Sequence, residues 1–154
     1  MGDNLFLKRL FIFASIFFLV IIVASSPAQS ACDRVLGEWF SPDKDGKFLF
    51  YKSGGCYFGK IIWLKETRDE CGKLKTDKHN HDPARRNDPM MGIVIFKNFK
   101  WDAEDEKWVD GKVYDARNGD TWSCEMKMVS NLVLEVHGYL IFTWLGKSAY
   151  FSRY

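Results

Sequence analysis

From Val35 onward, short apolar runs alternate with turn residues, and this pattern predicts β-strands. The alternation is clear over residues 132–136 and clearest over 121–129, where every second side chain is apolar: Trp122, Cys124, Met126 and Met128. Successive side chains of a strand point to opposite faces. One face of each strand is therefore expected to be buried and the other wet, as in antiparallel sheets.

Turn signals divide this region into about eight strands. Asn118-Gly119 is a strong hairpin signal, because both central residues of the favoured two-residue turn need positive φ. No sustained helical period occurs after residue 31. We therefore predict an all-β fold, an antiparallel up-and-down barrel of about eight strands with one long inter-strand loop, 66–90. Closure removes exposed sheet edges, and a barrel of this size can hold one small ligand.

The first thirty residues show the pattern of an export signal. A basic pair precedes fifteen uncharged residues, 10–24, and small residues follow before Ala31. The apolar run is shorter than the roughly 20 residues that a membrane-spanning helix needs, and its surroundings are those of a secretory signal peptide. We expect residues 1–30 to be removed, leaving a periplasmic or secreted protein. A retained anchor and lipid attachment at Cys32 are the alternatives.

Residues 31–154 suit a single domain, since a chain of this size buries most of the surface that it exposes when unfolded. Taking Lys8, Arg9 and Asp3 away from the 22 basic and 20 acidic residues of the chain leaves 20 against 19. This balance gives no reason to expect a nucleic acid or an anionic membrane as a partner. We expect no nucleic-acid contact, and no membrane contact beyond the signal segment.

Four cysteines occur in a chain that we expect to be exported to a compartment where disulfides form: Cys32, Cys56, Cys71 and Cys124. No two of them form the CxxC pair that is typical of zinc and redox sites. Four cysteines allow three pairings. We expect disulfides, and we take a bond between Cys71 and Cys124 as the pairing to test.

The most polar stretch is TDKHNHDPARRNDPMMG, residues 76–92, which contains two histidines and three aspartates. A zinc site would need three or four ligands converging on one point. Pro83 and Pro89 indicate an irregular loop, which does not fix the spacing of His79 and His81. We therefore predict no metal here.

A loop ordered by its own side chains explains this stretch better. Asx side chains bind nearby backbone groups, and arginine forms paired hydrogen bonds with carboxylates. The residues expected to order the loop are Asp77, Asn80, Asp82 and Arg86. We expect Arg86 to bridge to Asp77 or Asp82, and the loop to fold across one end of the barrel.

Five motifs stand in the order of a known family: Gly37-Glu38-Trp39, GKIIWLKE (59–66), GKLKTDKHNHDPARRNDPMMG (72–92), DGKVYDARNGDTWSCEM (110–126) and VHGYLIFTWLGKSAYFSR (136–153). With these motifs the chain resembles the DUF2147 proteins, small exported bacterial proteins of uncharacterised function. Phe151 stands where that pattern has tryptophan, and Ala116 where it has proline. The resemblance implies a lipocalin-like barrel of the calycin type, in agreement with the strand pattern.

Calycins often place a Gly-x-Trp of the first strand beneath an arginine from the end of the last strand. The resemblance assigns this arrangement to Gly37, Trp39 and Arg153. We predict that Trp39 and Arg153 touch, closing the barrel floor by a cation–π contact worth roughly 0.5–2 kcal/mol. Their role would be structural.

Aromatic and methionine side chains are the candidates for a ligand pocket, because they offer apolar walls with few polar groups. The residues selected for this role are Trp63, Tyr114, Trp122, Met126, Met128 and Trp144. Core packing is the alternative role for each of them.

No catalytic pair can be nominated, since His137 lies on the wet face of its strand and no base is placed beside a nucleophile. We expect a non-catalytic protein without a cofactor, which binds a small apolar or amphipathic ligand while the 66–90 loop gates one end. A structural or protein-interaction module of the cell envelope, with a solidly packed barrel, is the alternative.

Overall fold

The computed structural model describes residues 31–139 and 146–153. They form a short N-terminal 3-10 helix, Asp33–Val35, and eight strands. The strands are β1 (Gly37–Phe40), β2 (Gly46–Ser53), β3 (Cys56–Leu64), β4 (Val94–Asp102), β5 (Lys107–Asp115), β6 (Asp120–Ser130), β7 (Val133–Tyr139) and β8 (Gly146–Ser152). The expected signal peptide, residues 1–30, and Trp144 lie outside the described residues.

The eight strands form one closed barrel in chain order, and each pairs antiparallel with the next. The last strand returns to the first through the pair Phe40 and Ser152. The predicted eight-stranded up-and-down barrel is confirmed. In the part of the chain that the structure describes, no helix has the length and apolar character needed to cross a membrane.

Alternating strand directions give the barrel two different ends. The open end carries the connections 41–45, 65–93 and 116–119, and the closed end carries the N-terminal 3-10 helix and the tight turns 54–55, 103–106 and 131–132. The long connection thus begins and ends at the open end. Its contacts with Tyr114 and Gly119 place it beside the barrel end and not across it, as had been expected.

The floor at the closed end is built around Trp39, which is fully buried. Its indole nitrogen donates to the carbonyl of Val35 at 2.8 Å, and the guanidinium of Arg153 lies 4.2 Å from its ring centroid. Arg153 also donates to the carbonyls of Arg34 at 2.9 Å and Leu36 at 2.7 Å. The contact predicted between Trp39 and Arg153 is present, and it ties both ends of the described chain together.

Gly37 fits this floor because its φ is +107°, a conformation that side chains rarely adopt. A Cβ atom built there would lie 4.0 Å from the guanidinium of Arg153. The glycine therefore turns the chain from the 3-10 helix into β1 directly below the arginine.

Phenylalanine rings fill the middle of the barrel. The ring centroids of Phe96 lie 4.7 Å from Phe50, 5.6 Å from Phe151 and 6.4 Å from Phe99. A Cβ at Gly59 would come within 2.8 Å of the Phe96 ring, and one at Gly111 would overlap the ring of Phe99. Inward-facing glycines thus leave the space that these rings occupy, and the middle of the barrel is densely packed.

The predicted disulfide is wrong, because Cys71 and Cys124 are both free thiols in distant settings. Cys71 is exposed in the loop between β3 and β4, whereas Cys124 is 2% exposed and faces the barrel interior beside Gly138. One thiol is thus exposed on a loop and the other is buried in the barrel, and the disulfide between them is not formed.

The long loop folds back on itself in two layers. Asp77 donates its backbone N–H to the carbonyl of Asp88 at 3.0 Å, and Met90 donates to the carbonyl of Lys75 at 3.0 Å. A short 3-10 helix, Pro83–Arg85, lies near the tip. These backbone bonds make the segment an ordered arm in place of a loose connection.

Candidate functional site

A group of apolar side chains lies toward the open end, next to the phenylalanine rings. Its members are partly exposed and pack against the buried core: Phe48, Leu64, Val113 and Trp122. Phe96, only 1% exposed, lies beneath them, and its ring meets that of Phe48 edge-on at 5.4 Å between centroids. We call these five residues the open-end cup.

Strand register places the cup residues together. Phe96 of β4 pairs with Val113 of β5, which in turn pairs with Trp122 of β6. A Cβ at Gly46 would lie 3.6 Å from the Phe48 ring and 3.7 Å from Leu64, so these two side chains border the same glycine. Backbone pairing therefore brings Phe96, Val113 and Trp122 together, and the missing side chain at Gly46 leaves space for Phe48 and Leu64.

Three of the six selected ligand residues face the interior. Trp122, Met126 and Met128 share the inward face of β6, as their alternation predicted. Met126 pairs with Trp108 and is 1% exposed, and Met128 pairs with Leu134 in the closed half of the barrel. Trp122 is thus the one of these three that reaches the open end.

Two of the selected residues are on the outer wall. Trp63 is 41% exposed and meets Phe40 edge-on at 6.3 Å between centroids, because the register of β3 against β2 shifts just before it. Tyr114 is 8% exposed but neighbours the inward Val113, so its ring points outward and is covered by the loop. The structure thus contradicts a place inside the barrel for both.

The four loop-ordering residues all take part in hydrogen bonds. Asp77 is 1% exposed; its carboxylate accepts from the Tyr114 hydroxyl at 2.6 Å and from the Asn80 amide at 2.6 Å. Asn80 accepts from the backbone of Asp82 at 2.9 Å, and Asp82 caps the short 3-10 helix by accepting from Ala84 at 3.0 Å. These bonds attach the arm to the outer face of β5.

Arg86 has a different partner from the one expected. Its Nε donates to the backbone carbonyl of Asn80 at 2.9 Å and does not bridge to Asp77 or Asp82. The neighbouring Arg85 forms the carboxylate pair instead, with Asp88 at 3.1 Å. Asp77 is already satisfied by a hydroxyl and an amide, so its buried carboxylate does not require a cation.

Burial and the hydrogen bond to Asp77 raise the pKa of Tyr114 to about 12. The phenol therefore stays protonated as a donor throughout the physiological range. The backbone of the arm also meets the β5–β6 turn, where a Cβ at Gly119 would overlap the carbonyl of His79. Both contacts dock the arm on the outside wall next to the barrel mouth.

His79 and His81 are exposed on this arm. Among the described residues, no group of three or more histidine, cysteine, aspartate or glutamate side chains is placed to hold a metal ion. The histidines thus belong to the surface of the arm.

A serine–histidine contact does exist on the outer face of β7 and β8, although no such pair was nominated. His137 Nδ1 lies 2.9 Å from the Ser148 hydroxyl, which donates to Glu135 at 2.6 Å. The serine proton points to the carboxylate of Glu135 and not to the imidazole nitrogen. The histidine therefore cannot take the serine proton in this arrangement.

Comparison with known proteins agrees with this architecture. The profile of a family described as "Uncharacterized protein conserved in bacteria (DUF2147)" matches residues 37–153. The chain belongs to this family. The matched range spans all eight strands of the DUF2147 barrel and confirms the resemblance read from the motifs. No curated protein matches.

Among solved structures, the DUF2147 barrel is similar to protein HP1028 from the human pathogen Helicobacter pylori, which is described as belonging to the lipocalin family. The two chains are 24% identical, the similarity covers 71% of this chain and 72% of that one, and the TM-score is 0.59. At this level of identity the comparison shows the fold alone. The expected lipocalin-like barrel is confirmed.

Sequence reasoning missed Phe48, Leu64 and Val113 as parts of the cup. Phenylalanine and aliphatic residues are the usual filling of a core, so nothing in their type marks them as lining an opening. Leu64 faces inward only because of the register shift before Trp63, which strand alternation does not reveal. The position of all three near strand ends at the open end was the remaining signal.

Proposed function

We propose that this protein is a non-catalytic binder of a small apolar or amphipathic molecule, held in the open-end cup. The observation that carries the proposal is that Phe48, Leu64, Val113 and Trp122 stay partly exposed above a buried layer of rings. Apolar walls with a polar group among them, here the indole N–H of Trp122, suit such a ligand. The ligand would rest on the phenylalanine layer.

The test is a titration with N-phenyl-1-naphthylamine, a neutral apolar dye whose fluorescence rises in apolar surroundings. We expect saturable binding by the wild-type protein and an affinity lowered about tenfold or more in Trp122→Ala, since about 1.4 kcal/mol of lost contact has that effect. Trp63→Ala is the matched control, because Trp63 is on the outer wall. Equal losses in both variants, or no saturable binding, would refute the proposal.

A structural or protein-interaction role in the cell envelope is the second candidate. Dense packing around Gly59 and Gly111 favours it, because the middle of the barrel leaves no room for a buried ligand. Native mass spectrometry of protein purified from its own host separates the two roles. A co-purifying small molecule supports the binder, and a bare mass together with a stably attached protein supports the interaction module.

We also propose that the protein is exported and that residues 1–30 are cleaved as a signal peptide. The support is the basic, apolar and small-residue order of that segment. Intact-mass measurement of the protein from a periplasmic fraction should give a chain that begins at Ala31. A mass that retains the segment supports an anchor, and a lipid mass that disappears in Cys32→Ser supports lipid attachment.

A further inference from the structure

A second concave site lies outside the barrel, between the loop arm and the outer face of β4. It is an open crevice of about 450 Å³, within the range of roughly 300–1,000 Å³ that ligand sites occupy. Its apolar wall is formed by Met91, Ile93 and Val94 and its charged rim by Arg85, Asp88 and Lys97. Nothing in the open-end cup takes part in it.

The apolar wall contains both a buried residue and an exposed one. Ile93 is 8% exposed and belongs to the core, whereas Met91 is 42% exposed. An exposed methionine beside buried aliphatic residues offers a polarizable surface that adapts to an alkyl chain. The wall can therefore hold a short apolar tail without any rearrangement of the barrel.

The charged rim carries an excess of positive charge. Arg85 is neutralised by Asp88, with Nε to Oδ2 at 3.1 Å. Lys97 forms no ion pair with any carboxylate of the described residues, and its ammonium lies 5.7 Å from the centroid of the Tyr114 ring. That ring is neutral at physiological pH, and the nearest negative charge beyond it, the buried Asp77 carboxylate, already accepts hydrogen bonds from Tyr114 and Asn80.

A second lysine strengthens this positive potential. Lys112 of β5 is directly opposite Lys97 of β4, and its ammonium donates to the Ser123 hydroxyl at 2.8 Å instead of to a carboxylate. Like charges placed opposite each other across a sheet are destabilising. An anion bound beside Lys97 would relieve this repulsion and gain a charge-assisted hydrogen bond.

The crevice is preformed by backbone bonds. Gly92 donates to the carbonyl of Ile61 at 2.9 Å, and Ile61 donates to the carbonyl of Ile93 at 3.0 Å. Gly92 has a φ of +91°, a conformation that side chains rarely adopt, so glycine suits this bend beside β4. A ligand would thus enter a site whose walls are already fixed.

We propose that this crevice binds an amphipathic anion, with its head group on Lys97 and its short alkyl tail against Met91 and Val94. The head group is a carboxylate or a phosphate monoester, which share the charge that the lysine recognises. This site is separate from the open-end cup, and it stands whether or not the cup binds a ligand.

The experiment is isothermal titration calorimetry of the full domain with decanoate and with decyl phosphate, both below their micelle concentrations. We expect saturable binding of at least one of them, weakened about tenfold in Lys97→Gln and several-fold in Met91→Ala. The tighter of the two probes identifies the head group. Lys100→Gln is the matched control, because Lys100 is on the same strand but pairs with Asp110.

Three results would overturn the proposal. If Lys97→Gln binds the probes as tightly as the wild-type protein, Lys97 does not hold the head group. If decanol binds as tightly as decanoate, the negative charge is not recognised. If inorganic phosphate binds as tightly as decyl phosphate, the apolar wall does not contribute to binding. Dye binding that is lost while decanoate binding still depends on Lys97 refutes the cup alone, and decanoate binding that does not depend on Lys97 while the dye still binds refutes the crevice alone.

Discussion

The hydroxyl of Tyr114, on the outer face of β5, donates a 2.6 Å hydrogen bond to Asp77, which the loop arm buries almost completely. This bond joins residues 37 positions apart in the chain. It fixes the arm beside both the open-end cup and the outer crevice. Its contribution can be tested by measuring the free energy of unfolding at several pH values.

Tyr114→Phe should lower the free energy of unfolding by about 1.5–3 kcal/mol at pH 7, since a buried carboxylate loses a donor. The pKa of Tyr114 is about 12 in the folded protein, above the value near 10 in the unfolded chain. A raised pKa gives stability that is complete below pH 10 and is lost as pH rises toward 12.

The measurement is urea unfolding of wild type and Tyr114→Phe at several pH values. The difference in free energy should be constant from neutral pH to about 9.5 and shrink above pH 10. Tyr150→Phe is the control, because Tyr150 is 53% exposed and its effect should be small. A difference that grows in alkali would contradict the assigned donor.

Cys71 and Cys124 should react very differently with iodoacetamide at pH 8. Burial raises the pKa of the Cys124 thiol to about 12, and the thiolate is the reactive form. We expect mass spectrometry to find Cys71 alkylated in the folded protein and Cys124 alkylated only after unfolding. Protection of both until a reductant is added would restore the disulfide that the structure excludes.

Trp101 and Trp108 pack with ring centroids 4.8 Å apart, but only one of the two indoles has a hydrogen bond among the described residues. Trp108 donates to the carbonyl of Cys32 at 3.1 Å, whereas the buried Nε1 of Trp101 has no acceptor. Trp101→Phe should therefore cost less than Trp108→Phe by about 1–3 kcal/mol, because it removes an unsatisfied donor.

Thermal unfolding of these two variants, followed by circular dichroism, measures the difference. Both substitutions remove the same atoms, so the loss of ring volume is matched between them. Equal destabilisation would mean that the Trp101 donor is satisfied in solution.

Gly111→Ala should destabilise the barrel by about 1–3 kcal/mol, because the new methyl group overlaps the ring of Phe99 and forces the core to shift. Gly46→Ala is the control, since its Cβ would meet Phe48 and Leu64 at ordinary contact distances of 3.6 and 3.7 Å. Chemical denaturation curves of both variants give the comparison. A larger effect at position 46 would show that the rings do not fill the space at Gly111.

The sequence predicted the barrel because alternation is a local property of each strand. It placed Trp122 and Cys124 inward correctly, and the motif resemblance placed Arg153 on Trp39. It placed Trp63 wrongly, because a register shift in β3 moves Trp63 from the inward face to the outward face. No residue type there marks the shift.

The errors at Tyr114 and Cys71 have another cause. A strand pattern separates a buried face from a wet one, but the loop arm covers part of the outer face, so that an outward tyrosine becomes buried. Whether the outer face is covered depends on where the long connection between β3 and β4 docks. The partner of Cys71 depends on the same docking position, because Cys71 is in that connection. Neither can be read from local spacing.

The seam of the barrel has its own dynamic consequence. Strands β1 and β8 share a single paired position, Phe40 with Ser152, and the closure below it depends on Arg153, which reaches a carbonyl 117 residues away. A strand pair with so few backbone hydrogen bonds belongs to the low-stability part of a structure, which opens locally at small free-energy cost. Amide hydrogen exchange should therefore be fastest in β1 and β8 along this seam. Local opening of the barrel should begin there, and the contacts of Arg153 should limit it.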